Sequence, residues 1–201
     1  MELCLKAIRT PYFQVSEFKL SPGQRVLLKG PSGTGKTTFL HLLAGLYRPQ
    51  EGEVQWDDQP LSKLSESHIS HLRRHKMGLV FQNLNLLSYL TAEENIELSG
   101  ASKESAKGLL RQVGLQEKFN RRTQQLSLGE QQRVAVARVL AQNPEVILAD
   151  EPTSSLDDTN AEQVMNLLLG KSGTQSLIMV SHDHRIEKFF DKILSVQEIL
   201  R

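Results

Sequence analysis

Four short apolar runs punctuate the chain: Arg25–Lys29 (RVLLK), Met77–Phe81 (MGLVF), Val146–Ala149 (VILA) and Leu177–Val180 (LIMV). Each has the length of a strand, and none alternates cleanly between apolar and polar residues. Strands of a parallel sheet covered by helices on both faces have this character, because neither side meets water. Helical patterns lie between the runs, at about Lys36–Leu46, Glu130–Gln142 and Ala161–Leu169. Strand alternating with helix predicts an α/β fold with a mostly parallel core sheet. The N-terminus departs from this pattern. Glu2–Ile8 and Phe13–Leu20 read as paired antiparallel strands, ended by the Pro22-Gly23 turn signal, and predict an N-terminal antiparallel β-subdomain. A last strand is expected near Ile193–Val196.

The segment from about Gln82 to Gln125 breaks the rhythm. Thr91-x-x-Glu94 is a capping-box pattern ahead of a short helix. A second helix is expected over Lys103–Val113, with Gly114 placed to end it. The pattern predicts a single domain, 1–201, whose α/β core (1–82 and 126–201) carries an inserted helical subdomain (83–125). Two ordinary crossover helices are the other reading of this stretch.

Charge and cysteine content narrow the class. Lys plus Arg number 24 and Asp plus Glu 23, a net charge of +1, which argues against a basic nucleic-acid binder. The single Cys4 excludes an internal disulfide and a cysteine-cluster metal site. No apolar run approaches the roughly 18 residues of a membrane span. The opening MELCLKAIRT lacks the long apolar core of a secretory signal. The expected location is therefore cytoplasmic.

Gly30-Pro31-Ser32-Gly33-Thr34-Gly35-Lys36-Thr37 follows an apolar strand and opens a helix, and it matches the phosphate-loop pattern G-x-x-x-x-G-K-[ST]. Glycines let the backbone curl around phosphates, and the N–H groups of loop and helix N-terminus face the anion. Lys36 is expected to reach the β- and γ-phosphates, and Thr37 to place its hydroxyl on Mg²⁺. Asp150-Glu151 ends the run Val146–Ala149, with Asp150 expected near Mg²⁺ and Glu151 polarising an attacking water. Gln82 and His182 each stand just past another apolar run. In an open α/β sheet the carboxyl ends of the strands form the ligand crevice, so one crevice can collect the phosphate loop, Gln82, Asp150-Glu151 and His182.

Leu126-Ser127-Leu128-Gly129-Glu130-Gln131 completes the set. Ser127-x-x-Glu130 is a capping box at the start of a helix, offering a hydroxyl and free N–H groups to an anion. With these residues the chain resembles the ATP-binding subunits of ABC transporters, over nearly its whole length. Gly30–Thr37 resembles Walker A and Val146–Glu151 Walker B with its catalytic Glu. Gln82 is similar to the Q-loop, Ser155-Leu156-Asp157 to the D-loop, His182 to the H-loop and Leu126–Gln131 to the signature LSGGQ. The signature departs at Leu128 and Glu130, which replace Gly and Gln, and keeps Ser127 and Gly129.

That resemblance implies a P-loop NTPase fold and an ATPase coupled to transmembrane transport, with ATP and Mg²⁺ as cofactors. It implies ATP contacts from Tyr12 under the base, with Phe13 as the alternative, and from Gly30, Pro31, Ser32, Gly33, Thr34, Gly35, Lys36, Thr37 and Thr38. Catalytic roles fall on Glu151, His182, Lys36 and Gln82, and Mg²⁺ ligation on Thr37, Gln82 and Asp150. Ser127, Leu128, Gly129 and Glu130 would serve the partner's ATP in a head-to-tail homodimer or heterodimer, next to the D-loop residues Ser155, Leu156 and Asp157. A separate transmembrane permease subunit is implied, with the chain peripheral on the inner face of the cell membrane. Leu84, Leu86, Leu87 and Tyr89 are the expected contacts for it, packing inside the helical subdomain being the other reading of these residues. The stretch HLRRHKMGLVFQNLNLLSYLTAEENI is most similar to the bacterial lipoprotein-release, macrolide-export and cell-division (FtsE-like) group. That group opens an alternative, an ATPase that regulates extracytoplasmic machinery without transport. A nucleic-acid repair or translation ATPase is a third reading, disfavoured by the neutral charge and the lack of long coiled coils or zinc modules. The short length is expected to leave no room for a C-terminal regulatory domain.

Overall fold

A computed structural model describes residues 1–31, 33–170 and 175–199. Two sheets organise them. The first is antiparallel, with strands β1 (Leu3–Arg9), β2 (Gln14–Leu20), β4 (Glu51–Trp56) and β5 (Gln59–Pro60) in the order β2-β1-β4-β5. The β1–β2 register, Leu3 opposite Leu20 and Arg9 opposite Gln14, is the N-terminal pairing that the sequence pattern predicts. The second sheet contains β6 (Met77–Val80), β7 (Val146–Asp150), β8 (Ser176–Val180), β3 (Arg25–Lys29) and β9 (Lys192–Ser195), in that spatial order. Every pairing in it is parallel.

The apolar runs gain their meaning here. Val26, Leu28, Val146, Leu148, Ile178 and Val180 face one side of the parallel sheet. They pack with the antiparallel sheet and with Phe39, Leu40, Leu42 and Leu43 of helix α1 (Lys36–Leu43). The intervening Leu27, Ile147, Ala149, Leu177 and Met179 face the other side. There they meet α5 (Leu128–Leu140) and α6 (Asp158–Leu168). Alternate residues enter different cores, so a strand with no polar positions is what this layering demands.

Helix α2 (Glu66–Lys76) precedes β6 and buries only Ile69. It and β4 have no counterpart among the expected elements. Between β6 and β7 come α3 (Ala92–Glu97) and α4 (Lys103–Gln112). Thr91 caps α3 in the expected box with Glu94, and Ser102 caps α4. Ala92, Ile96, Ala106, Leu110 and Val113 form a third hydrophobic cluster with Val134 and Ala137 of α5. Val136 and Val139 of the same helix pack against the parallel sheet. Helix α5 is thus a wall shared by the sheet layer and the helical cluster.

Candidate functional site

All five parallel strands run in one direction, so the loops at their carboxyl ends share an edge. A cleft of about 650 Å³ opens there, lined by Tyr12, Gly33, Gly35, Lys36, Thr37, Thr38, Gln82, Asp150, Glu151, Ser154 and His182. Four separate strand ends therefore deliver the residues that the sequence singles out. Tyr12 projects from the β1–β2 turn with 72% of its surface exposed, while its neighbour Phe13 is buried in the core.

The phosphate loop is built as its composition requires. Gly33 and Gly35 adopt φ of 79° and 90°, a region that side chains with a Cβ rarely enter. Gly35 is the N-cap of α1, whose first turn carries no acidic residue of its own, so its positive end faces the cleft. Gly30 has a different reason to be glycine, since a Cβ there would lie 2.7 Å from the Cβ and Cγ2 of Val196. Lys36 Nζ donates to the carbonyls of Gly30 (2.7 Å) and Pro31 (2.6 Å), and Thr34 Oγ1 donates to Pro31 O (2.8 Å). Burial lowers the Lys36 pKa, against the opposing pull of the Glu151 and Asp150 carboxylates. Ser32 lies outside the described residues.

Across the cleft, Thr37 Oγ1 donates to Asp150 Oδ2 at 2.6 Å. Asp150 is buried at the end of β7. Glu151 follows it with φ of 50°, a strained conformation for a residue with a Cβ. Its carboxylate accepts from Ser181 Oγ (2.9 Å) and from the His182 backbone N–H (3.1 Å), and the His182 Nε2 stands 3.8 Å away. Its backbone is held too: N–H donates to Val180 O at 2.9 Å, and the carbonyl accepts from Gln132 Nε2 at 2.8 Å and Ser154 Oγ at 3.0 Å.

Ser127, Leu128, Gly129 and Glu130 do not line this cleft. They form the N-terminus of α5, where Ser127 accepts from Glu130 N–H and Glu130 Oε2 accepts from Ser127 N–H at 2.8 Å. That backbone bond, with help from Lys118, holds the Glu130 carboxyl below the usual range. Leu128 is 59% exposed. Of the D-loop residues, Leu156 is buried in the sheet-layer core, Asp157 caps α6, and Ser155 sits beside Gly129. Of the apolar residues after Gln82, Leu84 is buried and Leu86 packs on the helical cluster, leaving Leu87 and Tyr89 exposed. Sequence reasoning did not single out Gln132, Ser154 or Ser181. Ser181 directly precedes His182 at the end of β8, and that position is the one signal that pointed to it.

A family model described as ABC transporter matches residues 13–154. The chain is 40% identical over 189 residues to MJ1508 of Methanocaldococcus jannaschii, an uncharacterized ABC transporter ATP-binding protein; the match covers 90% of this chain and 84% of the relative. An uncharacterized ABC transporter ATP-binding protein of Thermotoga maritima is 41% identical over 192 residues, covering 90% and 80%. Among solved structures, the dimeric post-hydrolysis state of the ATP-binding cassette MJ0796 bound to ADP and Pi superposes with a TM-score of 0.87. It is 36% identical, over 96% of this chain and 93% of that one.

Proposed function

Since the chain belongs to the ABC transporter family as an ATP-binding, ATP-hydrolysing cassette, we propose that it turns over ATP in the cleft described above, within a dimer that drives a separate membrane subunit. The observation that carries this reading is the convergence of the phosphate loop, Gln82, Asp150-Glu151 and His182 on one edge of the sheet. The triphosphate lies against the N–H groups of the loop and the start of α1, with Lys36 on its terminal phosphates and Tyr12 against the base. Glu151 orients the attacking water, and Ser181 and His182 hold its carboxylate. The Thr37 hydroxyl, the Asp150 carboxylate and the Gln82 amide are hard oxygen donors, suited to Mg²⁺ arriving with the nucleotide. The ion, when bound, neutralises charge on the phosphates.

The dimer follows from a mismatch. Ser127 and Gly129 have the chemistry to bind a phosphate, yet they stand outside the cleft of their own chain. A second copy arranged head to tail would bring them over its partner's ATP, and the dimeric structures of MJ0796 support a dimer of such cassettes. The helical segment 83–125 is the coupling subdomain in this reading. Leu87 and Tyr89 are its exposed apolar contacts. Among the described residues no helix is long and apolar enough to cross a membrane. We therefore assign attachment at the inner membrane face to the partner.

Glu151→Gln tests the reading. Its amide keeps the shape and loses the base, so ATP should convert the variant to a dimer by size-exclusion chromatography, with phosphate release falling by roughly a hundredfold or more. A variant that stays monomeric in millimolar ATP, or that hydrolyses at the wild-type rate, would remove Glu151 and the ATP sandwich from the mechanism.

A further inference from the structure

Gln132 lies inside α5 at 4% exposure, among Val134, Ala135, Val136 and Ala137. A buried amide is costly unless both of its ends find partners. Both do, and both partners belong to one turn: Nε2 donates to Glu151 O at 2.8 Å, and Oε1 accepts from Ser155 N–H at 3.3 Å. Glu151 is the residue of that turn in the left-handed region, at φ of 50°. The same turn is pressed on the helix a second time, because a Cβ on Gly129 would stand 3.1 Å from Ser155 O.

We propose that Gln132 is a positioning residue that ties the conformation of Glu151 to the position of the signature helix. The proposal rests on the roles given above to Glu151 and Ser127. Ser127 caps α5 and faces the partner's ATP; Gln132 lies five residues on, about 7.5 Å along the same axis. A helix hydrogen-bonded along its length moves as a unit. When ATP in one site draws Ser127 into place, the same displacement reaches the carbonyl of Glu151, which serves the other site. Gln132 thus makes the alignment of one base depend on closure at both sites. Gln132 does not itself line the cleft.

Two substitutions test this. Gln132→Met keeps the volume and loses both hydrogen bonds. Gln132→Glu keeps an acceptor for Ser155 and loses the donor to Glu151. Both should lower kcat by roughly tenfold or more, the scale of a displaced catalytic group, with KM for ATP within about twofold of wild type. Thermal unfolding of the monomers checks that both fold. Placed in the Glu151→Gln background, both should still dimerise with ATP, which separates closure from turnover. Wild-type kcat in Gln132→Met, or a raised KM at unchanged kcat, overturns the proposal. So does a normal kcat in Gln132→Glu, which would place any effect on Ser155 alone. A wild-type chain without ATPase activity would instead overturn the function proposed above, and this inference with it.

Discussion

The hydroxyl of Thr37 donates a 2.6 Å hydrogen bond to the buried carboxylate of Asp150, joining the first turn of α1 to the end of β7 across 113 residues of sequence. Strand β8 alone stands between β7 and β3, the strand whose loop leads to α1, so the bond spans the middle of the sheet edge. It also brings together two of the three oxygen donors assigned to Mg²⁺. Thr37→Val preserves the branched shape and removes the donor. Loss of a hydrogen bond to a charged group predicts about 1.5–3 kcal/mol lower stability by urea unfolding. The Mg²⁺ concentration for half-maximal ATPase activity should rise at least roughly tenfold. An unchanged Mg²⁺ dependence would separate Thr37 from the metal.

Two glycines make opposite predictions from the same substitution. A Cβ on Gly30 would meet Val196 at 2.7 Å, at the start of the short helix α7 (Val196–Ile199). Gly30→Ala should cost about 1–3 kcal/mol, the usual penalty of overpacking. Val196→Ala in the same chain should recover part of it. Gly108 sits inside α4 with nothing within 4 Å of the Cβ it lacks. Gly108→Ala should stabilise by about 0.5–1 kcal/mol. Denaturant midpoints of the three variants decide both cases, and a stabilising Gly30→Ala would contradict the packing at α7.

The strands and the site were legible where burial leaves a signature in composition. Arg25–Lys29 is a strand over the expected residues, and Met77, Val146 and Leu177 fall in strands, because burial on both faces excludes polar residues. Residues at strand ends were found because each follows such a run. Strand β4 escaped notice because it is half-exposed: only Val54 and Trp56 are buried, and Trp56 depends on a long-range bond from its Nε1 to Leu43 O. Helix α2 buries only Ile69, so it carries no broad apolar stripe, and its local signs are confined to its ends: the N-cap Ser65, Glu66 in the first turn and the basic residues of the last turn. Gln132 illustrates a further limit. Its partners lie 19 and 23 residues away, and no local pattern tells a buried, satisfied amide from an exposed one.

Leu128 tests the proposed interface without touching the fold. It is the first residue of α5 and is 59% exposed, so substitution there disturbs no core. Leu128→Asp places a negative charge at a helix N-terminus, which favours the monomer or leaves it unchanged. Over a partner's ATP the same charge repels the phosphates. In the Glu151→Gln background the ATP-dependent dimer should weaken at least roughly tenfold by sedimentation, while the melting temperature of the monomer does not fall. A dimer of unchanged affinity would show that the start of α5 faces away from the nucleotide.

Asp183, next to His182, supplies a pH-dependent prediction. Its carboxylate accepts from Arg185 Nε and Nη2 at 2.8 Å each, from Arg185 N–H at 3.0 Å and from Thr153 Oγ1 at 3.1 Å. The Arg185 guanidinium, first among these, holds its pKa below the ordinary aspartate value. A carboxyl depressed in the folded state binds its proton more readily once the chain unfolds. Its contribution is therefore fully present above the unfolded value of about 4, and is lost as pH falls through the folded value. Asp183→Asn should lower stability by about 1 kcal/mol at pH 7, since Arg185 is partly exposed and the pair is screened. The gap between the urea midpoints of wild type and variant should shrink steadily below about pH 4. A gap that stays constant down to about pH 2 would mean that the Asp183–Arg185 pair does not hold the turn beside His182.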